Sequence, residues 1–229
     1  MSRSELAPLS RALVVAEPAL ARLVALTLRH CGCVTWQTER ADEARRLRST
    51  LQPELFLVAM NGDPDRLGLL GPDDGSGAVI ALVPEGRWPA LETLPTGTDE
   101  AARVPFTPDE LAVRASGALR RLGLARHDLR HTIVVGDLEL SIDERVRLGG
   151  EALIELGPAA NSLLYVLASG AGAPIPPEVL RRLTWGLEAG TSDRDIDHAV
   201  ARLEGLLGRR AGITRTTAGF ALRAERAAA

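Results

Sequence analysis

The chain has 229 residues, of which 45% are hydrophobic and 25% are charged, a composition typical of a globular protein with one large or two modest domains. All 27 basic residues are Arg, since the sequence contains no Lys, and this excludes a phosphate-binding P-loop and Schiff-base catalysis, which both need a Lys. The formal net charge of −3 excludes a strongly basic protein as a whole, although a local basic surface is compatible with it.

The first half of the chain alternates strand-length apolar runs with helical segments. The N-terminal residues contain no long apolar run, so we expect neither a signal peptide nor a membrane span. The apolar runs cover residues 12–16, 33–37, 55–60, 78–83 and 101–104, and the helical patterns cover residues 18–30, 41–51 and 107–123. Continuous apolar strands between helices predict a parallel sheet covered on both faces, which gives a three-layer α/β domain over residues 1–122.

A short segment after the first predicted helix contains His30, Cys31 and Cys33. One residue between two Cys is poor spacing for a disulfide framework, so we expect a reducing cytoplasm. A soft metal could be bound by these side chains, but no second cluster of Cys or His accompanies them. We therefore predict no metal site there.

The second half of the chain has a different pattern of apolar and polar residues. Residues 123–131 are polar and rich in Arg, and we predict a linker. Short alternating segments then predict a small antiparallel sheet over residues 132–135, 138–142, 145–148 and 152–156. Three helices are expected over residues 158–169, 177–185 and 193–207, followed by strand-like pieces at 213–216 and 220–223. These elements define a second domain over residues 132–229.

The third helix of this domain has two distinct faces. Its apolar residues form one core-facing stripe, which consists of Ile196, Val200, Leu203 and Leu207. The opposite face carries only basic side chains and small residues, and its cations are Arg194, His198, Arg202 and Arg209. Ser192 followed by Asp195 is typical of a capping box and sets the helix start. A basic outward face is what a helix in the major groove of DNA needs.

Together these parts resemble a two-component response regulator of the OmpR/PhoB type. In the first half the resemblance rests on "LVVAEPAL", "PELFLVAM", "VIALV" and "VPFTPDEL", and in the second half on "LTWG", "RDIDHAVARLEGLL" and "GFAL". It covers nearly the whole chain. It implies a receiver-like (βα)5 parallel-sheet domain followed by a winged-helix DNA-binding domain with a small antiparallel sheet.

The resemblance also locates the phosphorylation switch of the family. The Asp that accepts the phosphoryl group is matched by Ala59, and the acidic pair that holds Mg²⁺ is reduced to Glu17. The hydroxyl residue of the fourth strand is matched by Val83, and the conserved Lys of the family by Val104. One carboxylate is a poor site for a hard cation that needs several oxygens. We therefore expect a receiver domain that is not phosphorylated and has neither metal nor cofactor.

The function implied by the resemblance is transcription regulation by a homodimer that binds double-stranded DNA in the cytoplasm, with RNA polymerase as a further partner. The expected DNA-binding residues are Arg194, His198, Arg202 and Arg209 of the helix and Arg215 of the wing. No catalytic residue is predicted, since no Ser has an identifiable His partner, and we expect no enzyme activity.

An alternative from another class stays open. Residues 131–229 contain 11 Arg against 13 acidic residues, so the second domain is not basic overall. Weak non-specific affinity for DNA follows from this balance. In the alternative, both domains are docking surfaces of an adaptor that binds partner proteins and no specific DNA.

Overall fold

The protein is described by a computed structural model that covers residues 10–60, 77–86, 97–123, 129–186, 190–208 and 211–223. Its first half contains one five-stranded parallel sheet. The strands are β1 (Arg11–Val15), β2 (Val34–Thr38), β3 (Leu55–Ala59), β4 (Ala78–Pro84) and β5 (Glu100–Val104), in the order β2-β1-β3-β4-β5. The helices are α1 (Pro18–Leu28), α2 (Ala41–Leu51) and α3 (Pro108–Arg121).

Alternate residues of the strands point to opposite faces of the sheet, and both faces are buried. Val14, Leu57 and Ile80 belong to the core on the side of α1 and α3. Phe56 and Val58 belong to a second cluster, which includes residues of α2. This explains why the strands are apolar without alternation, and it confirms the predicted three-layer arrangement.

The second half forms a small antiparallel sheet, three helices and a final hairpin. The sheet contains β6 (Thr132–Val135), β7 (Leu138–Ser141), β8 (Arg145–Leu148) and β9 (Ile154–Glu155) in that order. The helices are α4 (Pro158–Ser169), α5 (Pro177–Thr184) and α6 (Asp193–Leu207), and the hairpin contains β10 (Ile213–Thr216) and β11 (Gly219–Leu222). The predicted fold class, a receiver-like domain followed by a winged helix, is confirmed.

Several boundaries differ from the sequence-based prediction by one or two residues. The first helix is α-helical only to Leu28, and a 3-10 turn over Arg29–Cys31 follows it. The strand predicted over residues 152–156 is reduced to Ile154–Glu155. The last strand begins one residue early, at Gly219, which pairs with Thr216; the φ of 129° and the nearby backbone of Ile175 leave no room for a Cβ atom at this position. Of the predicted linker, residues 124–128 lie outside the described residues.

The two halves pack against each other through α1 and α4. Buried residues of both helices, among them Leu28 and Leu163, belong to one continuous apolar cluster. Polar contacts cross the same interface: an Nη2 N–H of Arg29 donates to the carbonyl oxygen of Val134 at 2.5 Å. None of the helices in the described part of the chain is both long enough and apolar enough to cross a bilayer.

Candidate nucleic-acid interface and the carboxyl edge of the sheet

The helix α6 begins at the predicted capping box. The backbone N–H of Asp195 donates to the Ser192 hydroxyl oxygen at 3.3 Å, and the backbone N–H of Ser192 donates to the Asp195 carboxylate at 2.8 Å. The backbone N–H of Asp195 also donates to the carbonyl oxygen of Ser192, at 3.1 Å. The residue at which α6 begins is therefore set by its own sequence.

The predicted stripe of α6 faces the core. Its four members, Ile196, Val200, Leu203 and Leu207, are at most 5% exposed. Arg194, His198 and Arg202 are exposed on the opposite side, and they follow each other at intervals of four residues. At a rise of about 1.5 Å per residue they span roughly 12 Å of the helix. Arg209, also predicted for this face, lies outside the described residues.

The wing contributes Arg215, on β10, beside α6. Its guanidinium Nη1 lies 2.8 Å from Oδ1 of Asp197, and its Cζ lies 5.4 Å from the centre of the Phe220 ring. The sequence predicted Arg215 as a DNA-binding residue of the wing, and the structure pairs it with an acid of α6. We call the exposed side chains of Arg194, His198 and Arg202, together with Arg215, the α6 surface.

A cleft of about 480 Å³ lies beside the α6 surface, between α6 and the start of α4. His198 and Arg202 line one side, and Trp185 contributes to the apolar part. Trp185 is partly buried and packs against the core.

A second group of predicted residues lies at the carboxyl edge of the parallel sheet, the edge at which its strands end. Ala59 and Val104 are the last residues of β3 and β5, Val83 is the penultimate residue of β4, and Glu17 follows β1. Ala59, Val83 and Val104 are 2%, 4% and 8% exposed. The structure therefore brings the four positions to one edge, and of these four residues only Glu17 is ionisable.

Glu17 accepts three hydrogen bonds from groups of the protein. Its Oε2 and Oε1 accept the backbone N–H groups of Ala19 and Leu20, both at 2.9 Å, so that it caps α1. Its Oε1 also accepts a hydrogen bond of 2.7 Å from Arg182 of α5. Burial alone would raise the pKa of Glu17, but the Arg182 guanidinium and the two N–H groups outweigh burial, and the pKa lies below its ordinary value.

These residues do not fit the Mg²⁺ ion that the resemblance implies. Mg²⁺ needs an octahedral set of oxygens, and it is usually held by one or two carboxylates together with phosphate and water. Among the four matched positions Glu17 is the one carboxylate, and it already accepts three N–H donors, while Ala59 supplies no oxygen. Within the described ranges, no three His, Cys, Asp or Glu side chains lie close enough to hold a metal ion.

The segment with His30, Cys31 and Cys33 is part of the interface between the two halves. His30 is 0% exposed, its Nδ1 lies 2.6 Å from the carbonyl oxygen of Arg130, and its Nε2 lies 2.6 Å from the Tyr165 hydroxyl. Because a carbonyl oxygen only accepts, Nδ1 carries the proton and Nε2 accepts from Tyr165. Burial raises the pKa of Cys31 and Cys33 to about 12, so neither is a reactive thiolate.

Two residues at these sites, Arg182 and Tyr165, were not singled out by the sequence as contacts of the first domain. Their partners, Glu17 and His30, are 165 and 135 positions away in the chain. Periodicity reports which face of an element is buried and not which distant residue covers it. A sequence signal for either contact was therefore absent.

Comparisons with known proteins identify relatives of the same architecture. The DNA-binding response regulator MtrA of Mycolicibacterium smegmatis is 28% identical over 193 residues, which cover 82% of both chains. The phosphate regulon transcriptional regulatory protein PhoB of Pseudomonas aeruginosa is 26% identical over 206 residues, which cover 84% of this chain and 86% of PhoB. No family model matches the chain.

Among solved structures, a streptococcal redox sensor that evolved from two-component response regulators aligns with 93% of this chain and 99% of its own, with a TM-score of 0.43 and 20% identity. The relatives are transcriptional response regulators of the OmpR/PhoB type and not enzymes. The chain is thus similar in sequence, over more than four fifths of its length, to DNA-binding transcriptional response regulators.

Proposed function

We propose that the protein is a sequence-specific DNA-binding transcriptional regulator that acts as a homodimer and does not depend on phosphorylation. The observation that carries the proposal is the α6 surface. Arg194, His198 and Arg202 project from a well-capped helix, and none of them forms a salt bridge within the described residues. Arg side chains in this position form bidentate hydrogen bonds with guanine or bind phosphate oxygens.

Phosphorylation independence is proposed from the carboxyl edge of the sheet. Ala59 has no nucleophile, and Val83 and Val104 supply neither the hydroxyl nor the cation that the resemblance implies. Phosphoryl transfer is catalysed largely by positioning and by charge stabilisation, usually with Mg²⁺. With Glu17 bonded to Arg182, the described residues at this edge supply neither contribution.

A homodimer is proposed from the geometry of winged-helix recognition. A single recognition helix reads only a few base pairs, and two copies on adjacent half-sites give a longer operator. The residues proposed to bind DNA are Arg194, His198 and Arg202, with Arg209 at the end of the helix and Arg215 at the wing. The boundaries 1–122, 123–131 and 132–229 stay the proposed division into domains and linker.

The adaptor alternative is favoured by one observation, the pairing of Arg215 with Asp197. This pair reduces the net positive charge beside α6 and thereby the attraction to phosphate. In the adaptor, the α6 surface would contact protein, and specific binding to any genomic site would be absent.

The decisive experiment is a binding titration with the best genomic site and a scrambled duplex at two salt concentrations. Arg202→Ala is expected to cost about 1 to 3 kcal/mol on the genomic site if Arg202 reads a base, and Arg215→Ala should weaken both duplexes alike if Arg215 binds phosphate. Arg45→Ala removes an exposed Arg of α2 and serves as the control. Wild-type affinity of Arg202→Ala for the genomic site would favour the adaptor.

Phosphorylation independence is tested separately with acetyl phosphate and Mg²⁺. The mass, the oligomeric state and the operator affinity of the protein are expected to stay unchanged. A stoichiometric phosphoryl adduct would contradict this part of the proposal and leave the DNA-binding part intact.

A further inference from the structure

The contact between Glu17 and Arg182 joins the two halves of the protein at the carboxyl edge of the sheet. The Arg182 Nη2 and the Glu17 Oε1 are 2.7 Å apart, and the side chains are 33% and 24% exposed. At this partial burial an ion pair is less screened by solvent than a pair on the open surface. Its carboxylate is also oriented by two backbone N–H groups, so only Arg182 has to be ordered to form the pair.

A second contact lies beside this pair. Gly186, which follows α5, has a φ of 86°, and a Cβ atom placed there would collide with the Glu85 carboxylate and would lie 3.2 Å from Cδ of Pro105. Glu85 follows β4 and forms a salt bridge with Arg103 of β5. The end of α5 therefore packs directly on the carboxyl edge of the sheet, and the positive φ of Gly186 favours glycine there.

Helix α5 also forms a hydrogen bond and a salt bridge with residues at the start of α6. An Nη1 N–H of Arg181 donates to the carbonyl oxygen of Thr191 at 3.4 Å, and its Nη2 lies 3.6 Å from Oδ1 of Asp193. Arg181 and Arg182 are neighbours on α5, so one side of this helix contacts the first domain and another contacts the recognition helix. In the described part of the chain, the hydrogen bonds and salt bridges between the halves involve neither α6 nor the β10–β11 hairpin, so the α6 surface stays accessible.

We propose that Arg182 is a positioning residue: its guanidinium is the counter-ion of Glu17, occupies the place that the resemblance gives to a metal ion, and fixes α5 and thereby α6 in the orientation that binds DNA. The receiver-like domain then contributes to DNA binding as a permanent support of the two helices. The effect on DNA binding rests on the proposed function, whereas the effect on α5 does not.

The test uses the full-length protein with Glu17→Gln, Arg182→Gln and the double variant. Arg22→Gln removes an exposed Arg of α1 and is the matched control. Two quantities are measured: amide hydrogen exchange of residues 177–186, and the affinity for the best genomic site at two salt concentrations. Arg182→Lys is added because it keeps the charge while it loses the planar donor set.

Each single variant is expected to accelerate exchange in residues 177–186 and to weaken operator binding about fivefold, the low end of typical coupling between sites. The double variant should bind the operator no more weakly than the single variants, since both substitutions remove the same contact. The salt dependence should stay that of the wild type, because a lost phosphate contact would lower its slope by about one. Arg182→Lys should fall between wild type and Arg182→Gln, and Arg22→Gln should match the wild type.

Glu17→Gln is the most discriminating variant, because electrostatics alone predicts that removal of an acid tightens DNA binding. Weaker binding by this variant supports positioning, whereas unchanged or tighter binding overturns it, as would additive effects in the double variant. If the wild type binds no specific site, the proposed function fails, and hydrogen exchange of residues 177–186 still decides whether the pair holds α5. Hydrogen exchange at the wild-type rate in both single variants would overturn the inference that the pair holds α5.

Discussion

The carboxyl edge of the sheet and the α6 surface differ in which polar groups they present to solvent. At the edge, Ala59 and Val83 are buried and apolar, and Glu17 is bonded to Arg182 of the same chain. On α6, Arg194 and Arg202 are exposed and face outward. Ligand binding needs groups that are available to the ligand. In the proposed function, external recognition therefore belongs to the second half, while the first half has an internal, supporting role.

Ala59→Asp tests the apolar edge most severely. The new carboxylate would lie at a position that is 2% exposed, and burial of an unpaired charge there should reduce the free energy of unfolding by about 3 kcal/mol. Because burial raises the pKa of a carboxyl group, the loss should shrink toward acidic pH, where the group is neutral. Urea unfolding at two pH values measures both effects.

Ala59→Asn is the control for Ala59→Asp, since it has nearly the same size without the charge. Its destabilisation should be smaller and independent of pH. Neither variant should gain DNA binding that depends on a phosphodonor, because the carboxyl edge would still lack the cation that the switch requires. Such a gain would show that the edge is closer to a working phosphorylation site than we infer.

Tyr165→Phe tests the polar contact across the interface of the two halves. It would leave the Nε2 of the fully buried His30 without a donor, and an unpaired buried acceptor costs about 2 kcal/mol of stability. Ser49→Ala removes another hydroxyl hydrogen bond, at an exposed position, and should cost less than about 0.5 kcal/mol. Equal unfolding curves for the two variants would contradict a role of the contact in joining the halves.

The stability of the protein should decrease on mild acidification because of His30. Burial, followed by the charges of Arg29 and His131, lowers the pKa of His30, and the hydrogen bond to Arg130 offsets this only in part. The unfolded chain then binds a proton at its ordinary pKa of about 6.5 while the folded chain does not, so stability falls as the pH decreases. The loss between pH 7.5 and 5.5 should be about 1 kcal/mol.

His30→Gln should be less stable than the wild type but nearly independent of pH in that window, as measured by urea unfolding. Glu17 contributes in a separate window, because its pKa is lowered from 4.5, so its stabilisation is present at neutral pH and is lost only as the pH falls through that lowered pKa. If the free energy of unfolding of His30→Gln changed with pH as much as that of the wild type, the pH dependence would belong to other groups.

Asp197→Asn should have the smallest effect. It should increase the difference between the α6 surface and the carboxyl edge, because it frees Arg215 to bind phosphate. Binding to both the genomic and the scrambled duplex should tighten about threefold, with a salt slope steeper by about one. Glu204→Gln removes another exposed acid of α6 and should tighten binding less, without the change in slope. Weaker binding of Asp197→Asn would mean that Asp197 orients Arg215 toward DNA.

The fold was largely predictable because each element has a local pattern. The five apolar runs, the stripe from Ile196 to Leu207 and the capping box at Ser192 all correspond to observed features. The exposed cations of α6 followed from the same periodicity. The contacts of Glu17 with Arg182 and of His30 with Tyr165 were not predictable, because they depend on how two separately patterned halves meet. The pairing of Arg215 was missed because it joins a hairpin to a helix.

The continuous apolar cluster through α1 and α4 makes the two halves one thermodynamic unit. Separation of the halves would expose buried side chains of both, so we expect a single calorimetric unfolding transition. A ligand that binds only the folded state stabilises the whole unit, by about 2.7 kcal/mol at a concentration of one hundred times its dissociation constant. DNA bound at α6 should therefore slow the global hydrogen exchange of β1 and β3 in the distant parallel sheet, although it contacts neither strand.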